Sequence, residues 1–195
     1  MKKNGFTLIE ALAVIIILGI IMTIAIPAVS KYILQSDKSA YASDVIAYLE
    51  TARGEYEMKD YGSYLKSNEI MIVPLKNIEL EKGSSKESPF GKIDLDRSYI
   101  LIVPEKKGYE FYATVVDDTG TGFIEKKQNE LNKSVIQNDI KDEIEPLATY
   151  LDSSKVFKFT INDNNYEYSD IRNIDTYERQ NLDADIIILK IVAQP

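Results

Sequence analysis

Apolar and polar positions divide the chain into a membrane-like start, an amphipathic middle and a mixed remainder. From Phe6 to Ile26 run 21 residues that carry a single charge, Glu10. A helix of roughly 20 apolar residues is long enough to cross a bilayer. Beyond Pro27 the pattern changes. Val29, Ile33, Tyr41, Val45, Leu49, Ala52 and Tyr56 recur mostly three or four apart, with Lys31, Lys38, Asp44, Glu50 and Arg53 on other faces. The spacing predicts one nearly continuous helix from about Phe6 to Met58, ended near the turn-prone Asp60-Tyr61-Gly62. At 1.5 Å per residue it would be roughly 80 Å long, and its second half should lay an apolar stripe on a globular body.

The remainder predicts strands. Ile70-Met71-Ile72-Val73 is either a strand or the end of a short helix, with Pro74 breaking both, and Gly83-Ser84-Ser85 is a loop. Tyr99 to Val103 reads as a buried strand, Pro104 to Gly108 as a turn, and Tyr109 to Val116 as its hairpin partner. Phe157–Ile161 and Tyr166–Tyr168 form a second hairpin around the Asn162-Asp163-Asn164-Asn165 turn. Ile186 to Val192 is apolar enough for a central strand. Between Ile124 and Leu151, Leu131, Val135, Ile140, Ile144, Leu147 and Leu151 predict one helix or two, with Pro146 near a first turn or a break. The expected fold class is therefore α+β. A long N-terminal helix, membrane-spanning in its first half, packs on an antiparallel sheet head that carries an extra helical insertion over about Gly122 to Ser154. The domain reading is residues 6–27 as the membrane segment, 28–60 as the amphipathic half-helix and 61–195 as the head.

Composition narrows the function classes. The chain has 195 residues, 45% of them apolar and 28% charged, which suits a folded body. With 23 Lys and Arg against 31 Asp and Glu, the net charge of −8 argues against phosphate-backbone binding, and no nucleic-acid module appears. There is no Cys, so the head is expected to rely on packing without disulfides. The absence of His removes the commonest general base and metal ligand. No phosphate loop or nucleophile motif is present, so no catalytic residue, metal site or cofactor is assigned and the chain is not expected to be an enzyme. Asp117-Asp118-Thr119-Gly120-Thr121-Gly122 admits a calcium loop or a solvated turn. It lacks the spacing of a helix–loop–helix calcium site, and Asp and Gly favour turns, so the turn is preferred. For Asn162-Asp163 the same two readings exist and the hairpin turn accounts for it.

The N-terminal segment carries the specific signal. Lys2 and Lys3 precede the apolar run, which places the N-terminus in the cytoplasm and the rest outside. An ordinary secretory signal has a shorter apolar core, a small-residue site after it and no carboxylate within it. Glu10, near the end of a membrane helix, is costly unless paired or protonated, and such residues are functional by default. Gly19 is a weak helix former, and Pro27 cannot donate to the carbonyl of Thr23. The stretch between them is the weak point of the helix, either a static kink or a place of local melting.

The string Lys3-Asn4-Gly5-Phe6-Thr7-Leu8-Ile9-Glu10 resembles the class III signal of type IV prepilins and type II secretion pseudopilins. The resemblance covers about the first 30 residues, and Gly19 and Pro27 fall where many pilins carry a Gly and a Pro. It implies a leader of residues 1–5, cut after Gly5 by a membrane prepilin peptidase that then methylates the new N-terminus at Phe6. Glu10 becomes the fifth residue of the mature chain, placed to pair with the Phe6 amine of a neighbouring subunit during filament assembly. Ser88-Pro89-Phe90-Gly91 resembles the Pro-aromatic-Gly loop that often precedes the hairpin of these heads. The implied fold is the pilin fold. The implied partners are copies of this chain and other pilins, the peptidase, an assembly platform with its ATPase, and the membrane before assembly. The expected role is a pilin or minor pilin of a type IV pilus-like surface filament, with adhesion by the head left open. The alternative is a pseudopilin of a type II secretion or competence DNA-uptake system.

Overall fold

The computed structural model describes residues 7–58, 62, 65–78, 86–152, 154–170 and 186–193. Helix α1 runs Leu8–Met58, and the chain divides into two compact units, Met1–Asp37 and Lys38–Pro195. In the first unit the apolar side chains face outward: Leu8 is 87% exposed, Ile15 70% and Ile24 73%. Val29 and Ile33, which the amphipathic pattern placed on the stripe, are exposed too. The buried stripe starts at Tyr41 and continues through Ala42, Val45, Tyr48, Leu49, Ala52 and Tyr56, at helical spacing. Among the described residues α1 is long and apolar enough to cross a membrane.

In the second unit seven strands form one antiparallel sheet: β1 Glu69–Pro74, β2 Tyr99–Glu105, β3 Gly108–Val116, β4 Gly122–Lys127, β5 Phe157–Ile161, β6 Asn164–Asp170 and β7 Ile187–Ala193. Their order is β4-β3-β2-β1-β7-β6-β5, so β1 sits at the centre and the last strand returns beside it, with Ile70 opposite Leu189. The segment Ile70–Val73, open to two readings from sequence, is strand. The hairpin β2–β3 aligns Leu101 with Tyr112, and its strands extend to Glu105 and from Gly108, so the turn is shorter than expected. Asn162 and Asp163, at φ 51° and 59°, make the two-residue turn between β5 and β6. Positive φ at both central positions is the mirror-image turn whose twist matches paired strands.

The central strands are apolar without alternation because both of their faces are buried. Met71, Val73, Ile100, Ile102, Phe111, Ala113 and Val115 join the stripe of α1 in one core cluster. Ile70, Ile72, Tyr99, Leu101, Tyr112 and Leu189 point to the other side, into a second cluster with Phe157, Phe159 and Tyr168 of β5 and β6. The sheet curls to enclose that second cluster. Its two end strands approach each other: the Tyr112 hydroxyl of β3 donates to Asn162 Oδ1 at 3.3 Å, and Glu125 of β4 accepts from the Thr160 backbone of β5.

The expected helical insertion is not α-helical. Its start is β4, and the rest is irregular chain with two short 3-10 helices, Lys141–Glu143 and Leu147–Leu151. The apolar residues that suggested a helix do not share a face. Leu131 packs in the first cluster, Ile140, Ile144 and Leu147 in the second, and Leu151 is exposed. Asp139 adopts φ 59°, which an α-helix excludes, and Pro146 disfavours helical backbone at Glu145. The segment is instead pinned to the turn before β2. Leu147 N–H donates to Asp96 O at 2.8 Å, Arg97 donates to the Ile144 carbonyl, and Lys141 pairs with Asp94 at 2.9 Å.

Because Leu49 is fully buried and Ile33 is 53% exposed, the two helix positions should respond differently to truncation. Leu49→Ala should destabilise the head by about 2–5 kcal/mol, and Ile33→Ala by less than about 0.5 kcal/mol. Denaturant unfolding of the detergent-solubilised chain, followed by circular dichroism, checks this.

Candidate functional site

The start of α1 is built by a reciprocal cap. Thr7 is the N-cap residue: its carbonyl accepts the Ala11 N–H at 3.2 Å, the first bond of the helix. Its own N–H donates to Glu10 Oε2 at 2.8 Å, its hydroxyl donates to the same oxygen at 2.7 Å, and the Glu10 N–H reaches back to Thr7 Oγ1 at 3.4 Å. This is the capping box, in which a Thr and the Glu three residues on satisfy each other's orphan donors. The carboxylate also sits against the positive end of the helix dipole. Both Thr7 bonds fall on Oε2 of this exposed carboxylate. Thr7 was in the quoted motif, but its capping role was not read from it. The signal was present as Thr-x-x-Glu before an apolar run. Gly5 and Phe6 lie outside the described residues.

Farther along, α1 carries through both Gly19 and Pro27 as helix. No atom lies within 4 Å of a Cβ added at Gly19. The Thr23 hydroxyl donates to the Gly19 carbonyl at 2.8 Å, a bond back by one turn that tends to bend helices. Pro27 lacks the N–H that would have served the Thr23 carbonyl. Thr23 thus sits at both defects, which sequence spacing alone did not single out.

The Asp117 turn departs from the solvated reading. Asp117 is fully buried. Its Oδ1 accepts the N–H groups of Thr119 and Thr121, each at 3.0 Å, and the Thr119 hydroxyl at 2.5 Å. Its Oδ2 accepts the Ser88 hydroxyl at 2.7 Å. The chain's own donors therefore occupy both oxygens, and the carboxylate ties the Ser88–Gly91 loop to the end of β3. Asp118 Oδ1 accepts the Lys92 N–H at 3.1 Å, and a Cβ at Gly91 would lie 2.0 Å from that oxygen, so any other residue there would push Asp118 out of this bond. Phe90 meets Tyr41 of α1 edge-on at 6.1 Å. The Pro-aromatic-Gly loop is thus a wedge between the hairpin and the buried part of α1. At the second turn Asn162 is likewise occupied: its amide donates to Glu105 Oε1 at 3.0 Å, and its oxygen accepts from Lys127 and Tyr112.

The capped, membrane-length helix and the antiparallel head are the setting for the comparisons with known proteins. Residues 1–26 match the family profile described as the prokaryotic N-terminal methylation motif. The type II secretion system core protein G of Escherichia coli (strain K12) is 27% identical over 112 residues, covering 55% of this chain and 77% of that protein. No solved structure matches significantly. The methylation motif covers the apolar start, the similarity to core protein G is far longer than that motif, and the long helix with its antiparallel sheet is consistent with the pilin fold. The N-terminal methylation motif and the similarity to core protein G support a place for the chain among the type IV pilins and type II secretion pseudopilins.

Proposed function

We propose that this chain is a structural subunit, a pilin or minor pilin, of a type IV pilus-like extracellular filament. The reading rests on one observation above others: a helix whose first turns are apolar on every side and exposed, with one carboxylate at its capped start. Such a surface has no favourable resting place in water. Before assembly the bilayer covers it, with the N-terminus inside and the head outside. In a filament the same surface is covered by the equivalent helices of neighbouring subunits. Prepilin peptidase cuts after Gly5 and methylates Phe6, and the assembly platform and its ATPase extract the subunit. The chain itself performs no chemistry and needs no cofactor.

Within that reading Glu10 has two states. Alone it is held by Thr7 through Oε2, and in the filament the carboxylate takes the Phe6 amine of the next subunit. The cap keeps the carboxylate pointed and partly satisfied while it waits in the membrane, so less desolvation remains to be offset when the pair forms. The similarity to core protein G favours a second reading, a pseudopilin of a type II secretion system, by the same assembly chemistry.

Mass spectrometry of the protein from cells that hold the peptidase should show loss of residues 1–5 and one added methyl group on Phe6. An intact leader would refute the processing step. Glu10→Val should be cut normally yet enter filaments at least tenfold less, as expected from loss of a desolvated charge pair worth about 1.4 kcal/mol or more. Unchanged incorporation, measured by immunoblot of sheared fibres, would rule out the pairing role. The same fibres separate the two readings: abundance at the surface marks a pilus, whereas confinement to the envelope with loss of protein secretion on deletion marks a pseudopilus.

A further inference from the structure

The two end strands of the curled sheet meet at one residue. In β4 the register to β3 shifts: Phe123 faces Val115 and Lys126 faces Ala113, so Ile124 and Glu125 together oppose Thr114. This is a bulge, which places two residues against one and re-aims a side chain. Glu125 takes the left-handed conformation there, φ 49°, unusual for a residue that is not Gly and costing of order 1 kcal/mol. Its N–H is satisfied sideways by Thr114 Oγ1 at 3.1 Å. The twist directs the carboxyl group across the gap to β5, where it accepts the Thr160 N–H, while the Thr160 hydroxyl donates to Asn165 Oδ1 at 3.0 Å. β5 pairs with β6 on one side only, so this N–H is an edge donor with no strand to receive it.

We propose that Glu125 is a proton-controlled latch that closes the head's sheet by joining β4 to β5, tight when the carboxyl group is protonated and loosened when it ionises. The geometry sets the latch, since one side chain on a strained bulge spans the two open edges. Burial sets its direction: it pushes the carboxyl group up from 4.5 to about 7, against the Thr160 N–H and the charge of Lys126, which favour ionisation. The other groups facing it are known. Lys127 from β4 and Glu130 just beyond it line the same cleft, with Glu143 from the 3-10 helix Lys141–Glu143 and Asp163 from the β5–β6 turn. Three carboxylates against two ammonium groups leave the cleft with an acidic balance. Behind lie the hydroxyls of Tyr99 and Tyr150, and an ionised Glu125 raises both. Tyr112 of β3 completes the wall.

The sign follows from the raised value. The closed head holds a proton that the opened seam releases, so closure is fully favoured below about pH 4.5 and weakens as the pH rises through about 7. An opened seam exposes the backbone donors and acceptors of two strand edges, the surface most prone to pairing with another chain. The head would thus be most closed in mildly acidic surroundings.

The test is residue-resolved exchange and titration on the full-length protein in detergent micelles. A gap of about 2.5 pH units corresponds to at most about 300-fold in the opening constant, and partial solvent access lowers this, so at least a tenfold loss of Thr160 amide protection is expected between pH 5 and pH 8 after correction for intrinsic exchange. Glu125→Gln keeps an acceptor of the same shape and should abolish that dependence. The carbon-13 signal of the Glu125 carboxyl group in the unmodified protein should titrate between about pH 6 and 8, well above an ordinary Glu. A midpoint near 4.5, or equal pH dependence of Thr160 protection in both proteins, would overturn the latch.

Discussion

From Leu8 to Leu34 the apolar side chains of α1 have nothing in their own unit to bury against, and that constraint shapes the rest of the molecule. An apolar helix of this length must be covered by lipid or by other helices. Among the described residues it supplies no side chain to either core cluster of the second unit, both of which are built from Tyr41 onward. The division of the chain at Asp37 and the start of buried helix positions at Tyr41 express that separation within one continuous helix. The switch needs no break in the backbone. Only the composition of the outward faces changes, from Ile and Leu all round to a stripe of Tyr, Val, Leu and Ala flanked by charge.

A head with no Cys has to be held by packing and polar contacts alone. The packing uses both faces of the sheet. One face takes the helix stripe, and the other is enclosed by curling β5 and β6 round to the edge of β4. Aromatic rings fill the enclosed side: Tyr150 meets Phe157 at 4.6 Å and Phe159 at 5.8 Å, and its hydroxyl lies 3.3 Å from that of Tyr99. Tyr99, Tyr112, Tyr150 and Tyr168 are all buried here. A Tyr ring supplies bulk like Phe, while its hydroxyl finds a partner where the fold must also satisfy polar atoms. Burial pushes the Tyr150 hydroxyl up to about 12 and Tyr99 well above its ordinary value, so both stay neutral.

What was legible in the sequence was local. The helix stripe, the β2–β3 hairpin and the Asn162-Asp163 turn each depend on residues a few positions apart, and the period or turn chemistry shows directly. The N-terminal cap is of the same kind, four residues long. What was hidden depended on distant partners. The segment from Leu131 to Leu151 has apolar spacing close to helical, but its side chains serve two different cores, and a periodic count cannot tell one face from two. Asp117 reads as a turn residue, which it is. Its burial follows from Ser88 arriving 29 positions away in sequence, and nothing near Asp117 signals that. Glu125 sits among Lys and Glu and reads as strand surface. The bulge that turns it inward exists only once β3 sets the register.

These long-range polar ties occupy the places where an exported domain often carries disulfides. Ser88 to Asp117, Arg97 to Ile144 and Thr160 to Glu125 each join parts of the chain 29, 47 and 35 positions apart. A disulfide over such loops is worth roughly 2–5 kcal/mol, largely by restricting the unfolded chain. A hydrogen bond contributes roughly 0.5–1.5 kcal/mol between neutral groups, as at a protonated Glu125, and roughly 1.5–3 kcal/mol where one group is charged, as at Arg97, and only in the folded state. The two kinds of tie therefore differ less in strength than in character. Hydrogen-bonded ties need no oxidising compartment and form again whenever the chain refolds. The tie at Glu125 also depends on the protonation of its carboxyl group, so a head held together in this way gains independence from redox conditions and becomes sensitive to pH at that seam.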